Sequence, residues 1–311
     1  MLLPISKSPL IIGSTKVNQS TKWTIKTVVN QYIYCVFALL CFAVFLPISA
    51  VLAQAPILIQ AQQDQISKVP QLSMAGPVVR YSTDRAGNLV VADGNGTLTK
   101  IDSSAKVLYS NSPERPATPT SIEAWPTLRI TVFYREFQEY RIFDRLMTNS
   151  DVQKVPSNIE YARALTPAAD DHLWVVDDGD FALKKINPTT GQVSILQPLP
   201  LVLTEAAADV TFLKEYQNQL LLLTKSGTLV VFDNMGNIRK KIAVPAGLER
   251  IDTWGSNVYW ATPTGLAGQD LYTSKVWELP ITNIKAGSFA VLSGKGLWLI
   301  EGKQLRRLGL Q

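Results

Sequence analysis

Short apolar bursts separated by turn-forming residues set the pattern of this chain, and the stretch 171–196, DHLWVVDDGDFALKKINPTTGQVSIL, shows it whole. Residues 173–176 are apolar and rich in β-branched and aromatic side chains, as a buried strand requires. Asp177, Asp178, Gly179 and Asp180 then make an acidic turn. A second strand ends at Ile186 and Asn187, a Pro188 to Gly191 turn follows, and Val193 opens a third strand. No helical period runs through it. The stretch predicts an antiparallel meander.

The phrase recurs. Its leading strand is anchored at Leu89, Leu128, Leu173, Leu220, Val258 and Leu297, at intervals of 39, 45, 47, 38 and 39 residues. The residue two places on is apolar each time: Val91, Ile130, Val175, Leu222, Trp260 and Leu299. The following strand closes on Ile101-Asp102, Phe143-Asp144, Ile186-Asn187, Phe232-Asp233 and Trp277-Glu278, with a degenerate sixth copy at Arg307-Leu308-Gly309. A period near 40 built from strands and turns is that of propeller blades, because one small sheet cannot bury both faces alone. The expected fold is therefore all-β, a six-bladed β-propeller over residues 78–311. Helical or Leu/Asn-rich solenoid repeats are absent.

The sixth copy lacks an outer strand, and an open seam would leave unpaired edges. The ring is expected to close with an N-terminal strand completing the last blade. Residues 54–77 supply it, with the apolar run 57–59 as first candidate and 66–69 as second. Blade two departs from the repeat by interleaving Arg129, Arg135, Arg141 and Arg145 with aromatics. Blade five reads as carrying an insertion, TPTGLAGQD, over residues 262–270.

Charge changes the picture only at the N-terminus. The chain of 311 residues carries a formal net charge of +5, but residues 1–53 hold four lysines and no acid, leaving the remainder nearly neutral. Nucleic-acid binding rests on clustered Lys and Arg, so none is expected. Residues 31–55 are uncharged and mostly apolar, and end in the small-residue tail SAVLAQA. That order reads as a signal peptide over 1–53, the alternative being an uncleaved membrane anchor. Either way the propeller is exported, to the periplasm or outer surface, with membrane contact only through an uncleaved N-terminus. Both cysteines, Cys35 and Cys41, fall in this run, so the mature chain would have no thiol chemistry.

Residues for chemistry are sparse. His172 is the only histidine and directly precedes a strand, where a turn position is the plain reading. One histidine and no mature cysteine rule out His- and Cys-rich zinc sites, and no Gly-x-Ser-x-Gly elbow supplies a triad nucleophile. The carboxylates Asp177, Asp178 and Asp180 are weighed for Ca²⁺, but their spacing does not fit the Asp-x-Asp-x-Asp-Gly loop, and turn formation is the reading taken. No cofactor is expected. The tryptophans, at strand positions, read first as packing between blades.

The segments NLVVADGNGTLTKID, HLWVVDDGDFALKKINPTTG and QLLLLTKSGTLVVFDNMGN resemble the NHL-repeat and TolB-like six-bladed propellers of exported bacterial proteins. The resemblance covers roughly residues 78–309 and is fold-level. It implies either a periplasmic binding platform or, by the gluconolactonase branch, a metal-dependent hydrolase or lyase with inward-facing Glu, Asn and Asp ligands. No matching ligand set stands out. The expected function is a non-catalytic protein-binding or scaffolding module of the cell envelope, with the hydrolase or lyase as the alternative. Recognition is assigned to the face carrying the turns between second and third strands. Its candidate residues are Arg135, Phe137, Asp178, Lys225, Gln269 and Asp270.

Overall fold

The structure, a computed structural model, describes residues 57–58 and 70–309 apart from 127, 149, 204–208, 282–283, 286 and 295. The segment read as a signal peptide or anchor, both cysteines and the apolar run 66–69 lie outside the described residues. Among the described residues no helix is long and apolar enough to cross a membrane.

Six antiparallel sheets follow one another along the chain. Blade one comprises Val78–Thr83, Leu89–Asp93, Leu98–Ile101 and Val107–Asn111. Blade two comprises Ser121–Glu123, Arg129–Tyr134, Glu139–Asp144 and Ser150–Lys154. Blade three comprises Ala162–Pro167, Leu173–Asp177, Ala182–Ile186 and Val193–Pro198. Blade four comprises Val210–Tyr216, Gln219–Thr224, Thr228–Asp233 and Ile238–Ala243. Blade five comprises Asp252–Trp254, Asn257–Thr262, Gly265–Asp270 and Val276–Pro280. Blade six takes Phe289–Ser293, Gly296–Glu301 and Gln304–Gly309 from the C-terminal end and Gln71–Ser73 from the N-terminal side.

Burial explains the arrangement. The second strands are apolar on both faces, so each must be covered by a neighbouring blade on either side. The buried apolar residues fall into six clusters, one at every interface: one–two, two–three, three–four, four–five, five–six and six–one. An open row of six sheets has five interfaces. The sixth, where Leu89, Val91 and Ile101 meet Trp298 and Ile300, closes the ring.

Closure by an N-terminal strand holds, but with different residues from those expected. Leu72 pairs with Leu305 in antiparallel register at the outer edge of blade six. Residues 57 and 58 instead add to the outer edge of blade five, parallel to Trp277 and Glu278. Residues 70–73 follow directly on the blade-six turn, since Met74 and Val78 donate backbone N–H groups to Lys303 and Gly302. The nearest segment closes the seam.

Two repeat positions also need correction. Leu128 is 72% exposed, and it is Ile130 that pairs with Phe143 as Leu89 does with Ile101. In blade five the residues 262–270 are not an inserted loop. Pro263 and Thr264 form a tight turn and residues 265–270 are the third strand. Trp277 and Glu278 belong to the outer strand.

The aspartates that punctuate the repeat are turn caps. Asp102, Asp144 and Asp233 each accept the N–H groups two and four residues on, between third and outer strands. Asn187 and Asp270 do the same in blades three and five, accepting N–H groups two and three residues on. A short polar side chain that folds back on its own backbone satisfies donors a turn would otherwise leave unpaired.

Candidate functional site

The first strands of the blades line the lumen, and several of their side chains reach across it. The Tyr81 hydroxyl donates to Asp252 Oδ2 at 2.7 Å, from blade one to blade five. Arg250, just ahead of the first strand of blade five, donates to Asp252 Oδ1 at 2.6 Å and to the Tyr81 carbonyl at 3.1 Å. Its guanidinium also lies 3.6 Å from the Tyr81 ring centroid. Blades two and four are joined likewise by the ion pair Lys214–Glu123 at 3.1 Å and by the Trp125 and Tyr216 rings at 4.7 Å. Apart from Arg250–Asp252, which lies within blade five, each of these contacts skips a blade and so passes through the lumen.

The electrostatics follow from the geometry. Burial pushes the phenols of Tyr81 and Tyr259 well above the usual tyrosine range, which keeps both protonated, Tyr81 donating to Asp252 and Tyr259 accepting the Leu292 N–H. Burial disfavours charge on Arg250, but Asp252 outweighs it and holds the guanidinium above its ordinary value. The side chain nevertheless keeps 21% of its surface exposed, so solvent reaches it from the lumen.

At the mouth on the face of the second-to-third-strand turns, cations gather. Arg80 donates Nε to the Thr120 carbonyl at 2.9 Å and Nη1 to the Val79 carbonyl at 2.7 Å. Arg135 sits on the same threonine, its backbone N–H donating to Thr120 Oγ1 at 3.0 Å. Neither guanidinium has a carboxylate within ion-pair distance among the described residues. Burial first, then the cations Arg250 and Arg135, lower the Arg80 pKa, while Glu249 pulls the other way.

The candidate residues are dispersed by this fold. Arg135 and Phe137 form a 3-10 turn at the rim of blade two, and Arg115 stacks on the Phe137 ring at 4.0 Å. Asp178 is engaged by Arg163, at 2.5 Å, as is Asp209 at 2.9 Å. Lys225 is exposed in the tight turn of blade four, on the same face. Gln269 and Asp270 are not on that face. They end the third strand, where Asp270 accepts from Ser256 and from the Tyr272 and Thr273 N–H groups. Of the acids weighed for calcium, Asp177 and Asp180 both bind Lys184, at 2.7 Å each. Among the described residues no three or more His, Cys, Asp or Glu side chains converge as a metal-binding group.

The opposite face carries what sequence reasoning missed, a cleft of about 460 Å³ between blades two, three and four. Trp125, Leu128 and Pro167 wall it, Arg85 and Arg129 bring charge, and His172 lies on its rim. Arg85 stacks on the Trp125 ring at 5.4 Å, and Arg129 bridges to Asp171 at 2.7 Å. His172 Nδ1 meets the Asp170 carbonyl at 3.0 Å, a turn position. No signal in the sequence marked it, since Leu128 reads there as an anchor like the others and only the fold shows it exposed.

No family model matches the sequence, and no curated protein does. Solved structures do resemble the fold. Virginiamycin B lyase from Staphylococcus aureus aligns at 13% identity over 78% of this chain and 99% of that one, with a TM-score of 0.54. A streptogramin B lyase aligns at 13% identity over 78% and 97%, with a TM-score of 0.53. The β-propeller domain of Cps50 (Swd1) from Myceliophteria thermophila aligns at 12% identity over 78% and 100%, with a TM-score of 0.52. At such identities the likeness is one of fold alone, which hosts many activities. It bears out the β-propeller without narrowing it to the NHL-repeat or TolB-like group.

Proposed function

We propose that this chain is an exported, non-catalytic binding module of the bacterial cell envelope, with a protein as its partner. The observation that carries the reading is the distribution of charge at the ring's mouth. The lumen carboxylates Asp252 and Glu123 are each held by a cation, whereas Arg80 and Arg135 face outward chemistry without one. A hydrolase or lyase working through a metal needs free converging oxygens. A recognition surface needs the reverse, arginines and an accessible aromatic, and Phe137 beside Arg135 and Arg115 supplies both. Export rests on the apolar run at residues 31–55.

The test is site-specific photo-cross-linking in intact cells, with the reactive group at Phe137 and, as control, at Asn218 on the opposite face. A discrete protein adduct from position 137 that is absent from position 218 supports the reading. No adduct at 137 from correctly folded protein overturns it.

A further inference from the structure

We propose that the mouth of the ring binds a carboxylate, held by Arg80 and Arg250 with Arg135 at its rim. Thr120 ties two of these groups together, accepting Arg80 Nε through its carbonyl and the Arg135 backbone N–H through its hydroxyl. Arg250 joins them through the adjacent Tyr81 carbonyl. Arg80 uses Nε and Nη1 on carbonyl oxygens and has no protein acceptor for Nη2 among the described residues. Arg250 likewise keeps one N–H, Nε, buried without an acceptor.

Three guanidiniums drawn together in a partly desolvated mouth repel one another, and their charge wants an anion. Around Arg80 the opposing acids are Asp252, already shared by Arg250 and Tyr81, and the exposed Glu249. Asp178 and Asp209 are taken by Arg163. Of the three, only Arg250 is ion-paired among the described residues, to Asp252, which leaves Arg80 and Arg135 to hold a carboxylate. Arginine suits the task, because its planar fork gives two parallel charge-assisted bonds to the two oxygens of a carboxylate. Only the source of that carboxylate, an acidic side chain or C-terminus of a partner chain, rests on the preceding reading.

Calorimetry on the purified full chain tests this with a blocked tripeptide bearing a free C-terminal carboxylate, its C-terminal amide, and sodium acetate as competitor. The acid is expected to bind at least tenfold more tightly than the amide, to weaken with added salt, and to be displaced by acetate. Arg80→Gln is expected to erase the preference and Arg135→Ala to reduce it. Equal affinity of acid and amide for the wild type overturns the proposal, as does an undiminished preference in Arg80→Gln. Should Arg80→Gln fail to fold, Arg135→Ala decides: its guanidinium makes no bond among the described residues, and an unchanged preference there overturns the proposal. A carboxylate preference without a cross-linked adduct at Phe137 leaves the site standing and removes the protein partner. An adduct without the preference does the opposite.

Discussion

Tyr81 and Asp252 meet across the lumen, the phenol of blade one donating to the carboxylate of blade five at 2.7 Å. Because burial keeps the phenol protonated, it remains a donor at every pH the protein meets. The bond ties two blades that share no interface, so it braces the ring rather than a single sheet. Removing it with Tyr81→Phe leaves Asp252 with Arg250 still in place. Bonds to charged groups contribute about 1.5–3 kcal/mol, and the surviving partner puts the expected loss at about 1.5 kcal/mol. Urea denaturation checks this, and a loss below ~0.5 kcal/mol would contradict the bracing role.

Ring closure makes a graded prediction. A deletion through residue 76 removes Gln71–Ser73 and exposes the edge of Gln304–Gly309, together with the six–one interface that Leu72 and Met74 help cover. The expected cost is about 3 kcal/mol or more, a large share of a typical domain's stability. A deletion ending at residue 60 removes, among the described residues, only the two-residue parallel pairing on blade five and should cost under ~1 kcal/mol. Thermal unfolding of both truncations separates the cases. Equal losses would assign closure to the wrong segment.

What the sequence made legible follows from periodicity. Blades one, three and four present unbroken apolar runs in their second strands, at 89–92, 173–176 and 220–223, and these define the repeat on their own. Blade five was misread because glycine in GLAGQD looks like loop chemistry. In the fold Gly268 is a strand residue lying beneath the Trp277 ring, where an added Cβ would come within 2.4 Å of the ring. Glycine there admits a close approach across strands, which composition alone cannot distinguish from a turn. Once residues 265–270 are a strand, Asp270 takes the strand-closing place that Glu278 was given. The mouth arginines were harder to see. Arg80 and Arg250 are 170 positions apart and meet only because the ring closes.

Asp270 gives the fold a pH dependence. The Ser256 hydroxyl and the Thr273 and Tyr272 N–H groups hold its carboxyl down at about 2, against an ordinary 3.8. A depressed folded-state pKa contributes stability that is fully present above about pH 4 and is lost as the pH falls toward 2. After discounting for solvent at this partly exposed turn, the contribution is about 1 kcal/mol. Asp270→Asn should therefore be less stable than wild type at pH 7 by about that amount. Near pH 2 the two proteins should converge. A difference that persists undiminished at pH 2 would show that the carboxylate charge is not responsible.

The ion pair between Lys214 and Glu123 closes the lumen on the side of the cleft, and its two members predict opposite outcomes singly and together. Both side chains are almost wholly buried, and Glu123 also accepts the Trp125 N–H at 2.8 Å. Lys214→Met leaves a buried carboxylate without its cation, which costs about 3–5 kcal/mol in comparable sites. Adding Glu123→Gln removes the stranded charge and keeps an acceptor for the Trp125 N–H. The double variant should then recover most of the loss, since desolvating two ions offsets much of their attraction. A double-mutant cycle by chemical denaturation reads the coupling directly. The near-UV signal of Trp125, packed on Tyr216, reports whether the cleft wall has kept its shape. If the double variant is no more stable than Lys214→Met, the pair is held for something other than charge balance, and the stacked Trp125–Tyr216 wall must depend on the lysine itself.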